Sequence, residues 1–296
     1  MKKLIVLFLL IPSTYIIGQK NYQITSIDGT KLYIQEFGSV EPVILLAGGP
    51  GLNAIYLKPI WDSLSSKHRC IVLDQRGTGK SKTAKIDTVS FTIENYVNDL
   101  EALRKYLKLD QITLIGHSWG GMLSMEYASK HPNEVKQLIL LGPGGPTVKF
   151  FDYFPDNMMM RLHQEDLQEM NLLDSLKKSS LKAVWPGYFF DRDRALETKS
   201  ITNFDVFDFP PEVYRYSMSS YFSSDNKRIR LIKKFKGTVH IIQGRQDPIG
   251  ESTIFEIKNL LPQSQVHLIE KCGHLPWLEN AEQIKIFFAQ LRGSLK

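Results

Sequence analysis

Four uninterrupted apolar runs, Val43–Ala47, Ile71–Asp74, Ile112–Gly116 and Leu138–Leu141, recur through the first half of the chain, and each ends at Gly, Asp or another loop-former. A strand with one wet face alternates polar and apolar side chains. A strand without alternation must be covered on both faces, which is the situation of a parallel sheet layered between helices. Leu32–Phe37 does alternate and reads as a half-buried strand. Between Asp74 and Ile112 lies an amphipathic helix: Ile93, Tyr96, Val97, Leu100, Leu103 and Leu107 share one face, and Thr92 is placed to cap it. Strands alternating with helices predict an α/β fold with a mostly parallel sheet flanked by helices.

The alternation breaks after Pro146. From Thr147 to Lys236 the chain reads as irregular helices, and half of its aromatic residues fall there, with pairs such as Phe150-Phe151 and the run Tyr188-Phe189-Phe190. Apolar strand runs resume at Thr238–Gln243 and Gln265–Ile269, ahead of a last helix over Ala281–Leu291. One core interrupted by an insertion explains this order more simply than two sequential domains. The expected organisation is a signal peptide over 1–18, a first core segment over 19–146, a helical cap over 147–236 and a second core segment over 237–296.

The N-terminal assignment rests on Met1-Lys2-Lys3 followed by the apolar run Leu4–Ile11, then Pro12, Ser13 and the small residue Gly18. That order fits an export signal giving a periplasmic or secreted protein, and the run is too short to span a bilayer comfortably. An uncleaved membrane anchor is the alternative; no stable membrane span is expected once the signal is removed. Loss of the segment would also remove two lysines, so the formal charge of +6 overstates the basicity of the mature chain. The remaining basic residues are scattered and form no stripe, so nucleic acid is not an expected partner. Cys70 opens one strand run, Cys272 follows the end of another distant from it, and the two read as separate thiols. Oligomeric state is not legible.

Gly116-His117-Ser118-Trp119-Gly120 follows one buried run and precedes a helix over Met122–Lys130. This is G-x-S-x-G in the strand, turn, helix setting that lifts a serine hydroxyl clear of a sheet. A hydroxyl is a weak nucleophile at neutral pH and needs a base. Asp247 follows the first strand after the insertion and His274 follows the next, so both emerge at the sheet edge where Ser118 stands. The order nucleophile, acid, histidine is that of the α/β-hydrolase fold, with His274 as general base and Asp247 fixing its tautomer. The glycine loop Gly48-Gly49-Pro50-Gly51 follows Val43–Ala47, and the backbone N–H groups of Gly49 and Trp119 are the expected oxyanion hole.

Other motifs carry less. His117 reads as part of the elbow backbone, His240 and His267 as packed or surface strand residues, and His68, His131 and His163 as loop or helix-end residues. Asp208 and Asp225 fall in the cap. Gly77-Thr78-Gly79-Lys80-Ser81 fails as a phosphate loop, because Asp74 stands where the first glycine is required. No cofactor and no catalytic metal are implied.

Taken together, the Gly48-Gly49-Pro50-Gly51 loop, Asp74-Gln75-Arg76-Gly77-Thr78-Gly79-Lys80-Ser81, Gly116-His117-Ser118-Trp119-Gly120-Gly121, Gly244-Arg245-Gln246-Asp247 and Gly273-His274 resemble the proline iminopeptidase group of α/β-hydrolases. The resemblance implies a serine aminopeptidase that removes an N-terminal residue, often proline, from a small peptide, with acidic cap residues holding the free amine. The chain departs from that group twice. Ala47 stands where a histidine usually precedes the glycine loop. Met218, in Met218-Ser219-Ser220-Tyr221-Phe222, falls where the group carries a glutamate that contacts the amine. The leading expectation is an aminopeptidase of this kind; the alternatives are a hydrolase of a small uncharged ester or lactone, and a ligand-binding member without turnover.

Overall fold

A computed structural model of the protein describes residues 19–176, 178–204 and 210–290. The N-terminal segment read as a signal peptide, and Asp208 in the cap, lie outside the described residues. The strands are β1 (Gln19–Thr25), β2 (Lys31–Phe37), β3 (Glu41–Leu46), β4 (His68–Leu73), β5 (Ile112–His117), β6 (Val135–Leu141), β7 (Thr238–Gly244) and β8 (Gln265–Ile269). They form one sheet in the order β1-β2-β4-β3-β5-β6-β7-β8. β1 and β2 pair antiparallel, as do β2 and β4, and the remaining neighbours are parallel. The α/β class read from the apolar runs is therefore the one observed.

Period two along the strands divides the core between the two faces of the sheet. Ile44, Leu46, Ile71, Leu73 and Leu114 pack on one side, while Val43, Leu45, Cys70, Val72 and Ile115 pack on the other. The first side is covered by α2 (Ile93–Tyr106) and α3 (Trp119–Lys130). Trp61 of α1 (Lys58–Leu64) and Ile284, Phe287 and Phe288 of the last described helix belong to the second. Thr92 caps α2 as expected, its hydroxyl accepting the Asn95 N–H at 3.2 Å. Cys70 and Cys272 are both buried free thiols, and burial pushes the Cys70 thiol up to about 12.

Between β6 and β7 the described elements are helical: α4 (Phe154–Met159), α5 (Gln164–Ser175), α6 (Leu181–Val184), α7 (Arg192–Ile201), α8 (Pro211–Phe222) and α9 (Asp225–Ile232), with 3-10 turns at Val148–Asp152 and Trp185–Tyr188. α10 (Glu251–Leu260) then follows β7, and α11 (Pro276–Glu279) and α12 (Ala281–Gln290) follow β8. This helical stretch is fastened to the core by Arg228 of α9, which is fully buried. Its guanidinium donates to Glu126 of α3 at 2.6 Å, to the Pro146 carbonyl at 2.6 Å, to Asp225 at 2.7 Å and to the Tyr221 carbonyl, and it lies 3.3 Å from the Tyr221 ring centre.

Candidate active site

The turn after β5 is as tight as the glycine spacing suggests. A Cβ built on Gly116 would stand 2.3 Å from the Gly120 carbonyl oxygen, and one on Gly120 would stand 2.3 Å from that of Leu46. Between them Ser118 adopts φ 52°, ψ −114°, a conformation that L-residues avoid and that a rigid frame must hold. The frame is visible: the Ser118 N–H donates to the Leu141 carbonyl at 3.0 Å, joining the elbow to β6. Ser118 is half-buried and caps α3, so the positive end of that helix faces its hydroxyl. The Trp119 N–H lies in the first turn of α3, where the helix supplies no acceptor.

Asp247 and His274, on the loops after β7 and β8, are brought together. His274 Nδ1 and Asp247 Oδ2 are 2.8 Å apart, and both residues are buried. The other carboxylate oxygen accepts the Ile249 N–H at 2.8 Å. An ionised carboxylate only accepts, so Nδ1 carries the proton and Nε2 is left with its lone pair. The cap holds this ring as well: the Tyr188 ring stacks on it at 5.3 Å, and the His274 N–H donates to the Tyr188 carbonyl at 2.7 Å.

Ser118 and His274 line one cavity of about 240 Å³, and Gly49 and Trp119 stand in the same wall. Phe150, Phe151, Phe154 and Tyr188 form the cap side. Met218 is there too, so the position that departs from the amine-binding glutamate faces the cavity. Among the described lining residues the only ionisable side chains are His117, His274 and tyrosines; none is Asp, Glu, Lys or Arg.

Five further side chains organise the site in roles that the sequence did not assign to them. Gln75 bridges two loops, donating to the Ala47 carbonyl at 2.9 Å and accepting the Trp119 indole N–H at 2.9 Å. Its neighbour Arg76 is anchored by a two-pronged pair with buried Asp99, at 2.6 and 2.7 Å. Glu279 of α11 accepts the Gly273 N–H at 2.6 Å with one oxygen and the Phe190 and Asp191 N–H groups at 2.8 and 3.1 Å with the other. It thereby ties the histidine loop to the cap, and burial raises its carboxyl above the usual range. Tyr56 and His117 lie against one another beneath His274, at 2.7 Å between Oη and Nδ1. Burial and the neighbouring His274 hold the His117 imidazole well below its ordinary value, so it is neutral.

Comparison with known proteins places these features in a wider set. A protein family described as alpha/beta hydrolase fold matches residues 41–281. The proline iminopeptidase of Lactobacillus helveticus is 27% identical over 262 residues, covering 82% of this chain and 86% of that one. A cis-3-alkyl-4-alkyloxetan-2-one decarboxylase of Shewanella oneidensis is 37% identical over 118 residues, a match limited to 40% of this chain and 37% of that protein. Among solved structures, a thermophilic esterase from Thermogutta terrifontis superposes with a TM-score of 0.69 at 19% identity, covering 93% of this chain and 99% of that one.

Proposed function

The chain belongs to the α/β-hydrolase family, and we propose that within it this protein is a serine hydrolase of small uncharged esters. Ser118 Oγ attacks the acyl carbonyl while His274 Nε2 takes its proton. The N–H groups of Gly49 and Trp119 receive the oxyanion, and Asp247 stabilises the imidazolium. The imidazolium then protonates the departing alcohol, and a water activated by the same nitrogen releases the acid. Export through residues 1–18 is part of the same proposal, and the N-terminal sequence of the mature protein tests it.

One observation carries the choice of substrate: the described wall around Ser118 is apolar and aromatic, with Met218 in place of an acid. A substrate ammonium buried there would lose its hydration with no carboxylate to replace it, whereas an acyl chain gains from the same surface. The aminopeptidase reading keeps support from the Lactobacillus relative, whose likeness spans most of both chains. Initial rates on short-chain p-nitrophenyl esters beside prolyl and alanyl arylamides separate the two. Ester turnover that disappears in Ser118→Ala is the expected result. Arylamide turnover of equal efficiency would overturn the ester assignment while leaving the serine in place, and full activity in Ser118→Ala would overturn the triad itself.

A further inference from the structure

His117 and Tyr56 have no part in the chemistry above, yet they connect all three loops that carry it. The Gly48 N–H, at the head of the loop after β3, donates to Tyr56 Oη at 2.6 Å. Tyr56 Oη is 2.7 Å from His117 Nδ1, in the elbow after β5. His117 Nε2 is 3.1 Å from the carbonyl oxygen of His274, in the loop after β8. A carbonyl can only accept, so His117 carries its proton on Nε2. The lone pair on Nδ1 then takes the Tyr56 hydroxyl proton, and the Tyr56 oxygen is left to accept from Gly48.

We propose that Tyr56 and His117 are positioning residues forming a one-way relay, Gly48 N–H to Tyr56 O–H to His117 Nε2–H to the His274 carbonyl, that sets the oxyanion loop, the nucleophile elbow and the histidine loop in a single register. The inference rests on the triad reading above. Ala47 offers no polar side chain to hold the glycine loop, and Tyr56 supplies the acceptor instead. Space is matched to the relay: a Cβ on Gly48 would meet Tyr56 Oη at 3.0 Å and His117 Nδ1 at 3.1 Å.

The groups facing the His117 ring are Tyr56 on one side, His274 at 4.5 Å between ring centres with Asp247 behind it, and the edge of Trp277 at 4.8 Å. Protonation of His117 would reverse the middle link and set a second positive charge beside the imidazolium that each turnover requires. The relay and its surroundings oppose that protonation together.

The test begins on the unaltered protein, with ¹⁵N shifts of its labelled histidine side chains from about pH 5 to about pH 8, the range in which an ordinary histidine titrates. His117 is expected as the neutral Nε2–H tautomer throughout. A titrating ring, or the Nδ1–H tautomer, would overturn the relay even if no variant folds. Tyr56→Phe and His117→Phe are each expected to lower kcat about ten- to a hundredfold with KM changed by less than about threefold, as a misplaced catalytic group does. Because either change breaks the same chain, the double variant should lose no more than the worse single one. Multiplying losses, or an unchanged kcat in Tyr56→Phe, would also sink the proposal. Residual turnover in Ser118→Ala would count against the triad and leave the tautomer measurement to judge the relay.

Discussion

Asp247 uses both of its oxygens, one on the His274 Nδ1–H and one on the Ile249 N–H. That division makes Asp247→Asn informative. The amide oxygen would keep the Ile249 N–H, because a backbone donor accepts no substitute for a lone pair, and the amide NH₂ would then point at His274. Facing a donor, Nδ1 must give up its proton, and Nε2 would carry it instead of receiving that of Ser118. The variant should fold normally and bind substrate with little change in KM, while kcat falls by about 10⁴, the scale on which a wrongly protonated triad fails. Steady-state rates at neutral pH check this, and a loss smaller than about tenfold would mean that His274 is oriented by something other than Asp247. The same residue-scale logic explains what the sequence left hidden. Ser118, Asp247 and His274 could be proposed together from their order and from the strands they follow. His117 and Tyr56 could not, since a histidine inside an elbow and a tyrosine on the 3-10 turn Ala54–Leu57, far earlier in the chain, acquire meaning only when folding brings Nδ1 and Oη within bonding distance.

At the scale of elements, the contact that matters most for the cap is α9 on α3. Arg228 and Glu126 are both removed from water and pair at 2.6 Å, with Asp225 2.7 Å from Arg228 and Lys130 3.4 Å from Glu126. Truncating Arg228→Ala leaves buried Glu126 with only the Lys130 ammonium, at 3.4 Å, and strips the Tyr221 and Pro146 carbonyls of their donor. The expected loss is about 3–5 kcal/mol in urea unfolding, much more than the same change at an exposed arginine. Pairing it with Glu126→Leu should restore part of that loss, since the stranded charge is gone; a double variant as unstable as Arg228→Ala alone would argue that the carbonyl bonds dominate. The parallel strands β3 to β7 and helix α2 were legible because burial on two faces, or on one helical stripe, writes itself into the apolar pattern. β1 was not: it exposes most of its residues at the sheet edge and holds its place through backbone pairing to β2, which leaves no periodic signature. The helix α3 starts at Trp119, three residues before the apolar stripe suggested, because the elbow drives the chain into helix immediately after Ser118. The links from cap to site, Tyr188 and Glu279 above all, act through backbone carbonyls and N–H groups, and no side-chain pattern encodes those.

For the molecule as a whole, three histidines shape the response to acid. Burial lowers His117, His240 and His267 below the ordinary 6.5, while an unfolded chain takes up their protons near that value. Below about 6.5 the unfolded state therefore binds more protons than the folded one, and this contribution to stability falls as pH falls. Buried carboxylates such as Asp74 and Glu279, held above their usual range, pull the other way, because the folded state then keeps protons that the unfolded state releases. The net curve mixes the two, so the useful quantity is a difference. His240 and His267 face each other across β7 and β8 at 3.3 Å, away from the active site and packed against Phe287. Replacing both with Gln removes their titration and leaves the carboxylates and His117 as they were. Urea unfolding from about pH 7 to about pH 5 should then show stability declining less steeply than in the unaltered protein. The difference is bounded by about 1.4 kcal/mol per pH unit for each histidine and reduced for the partly exposed His267 by solvent. Identical slopes would mean that these rings protonate inside the folded sheet, with β8 loosening at the edge of the sheet to admit the charge.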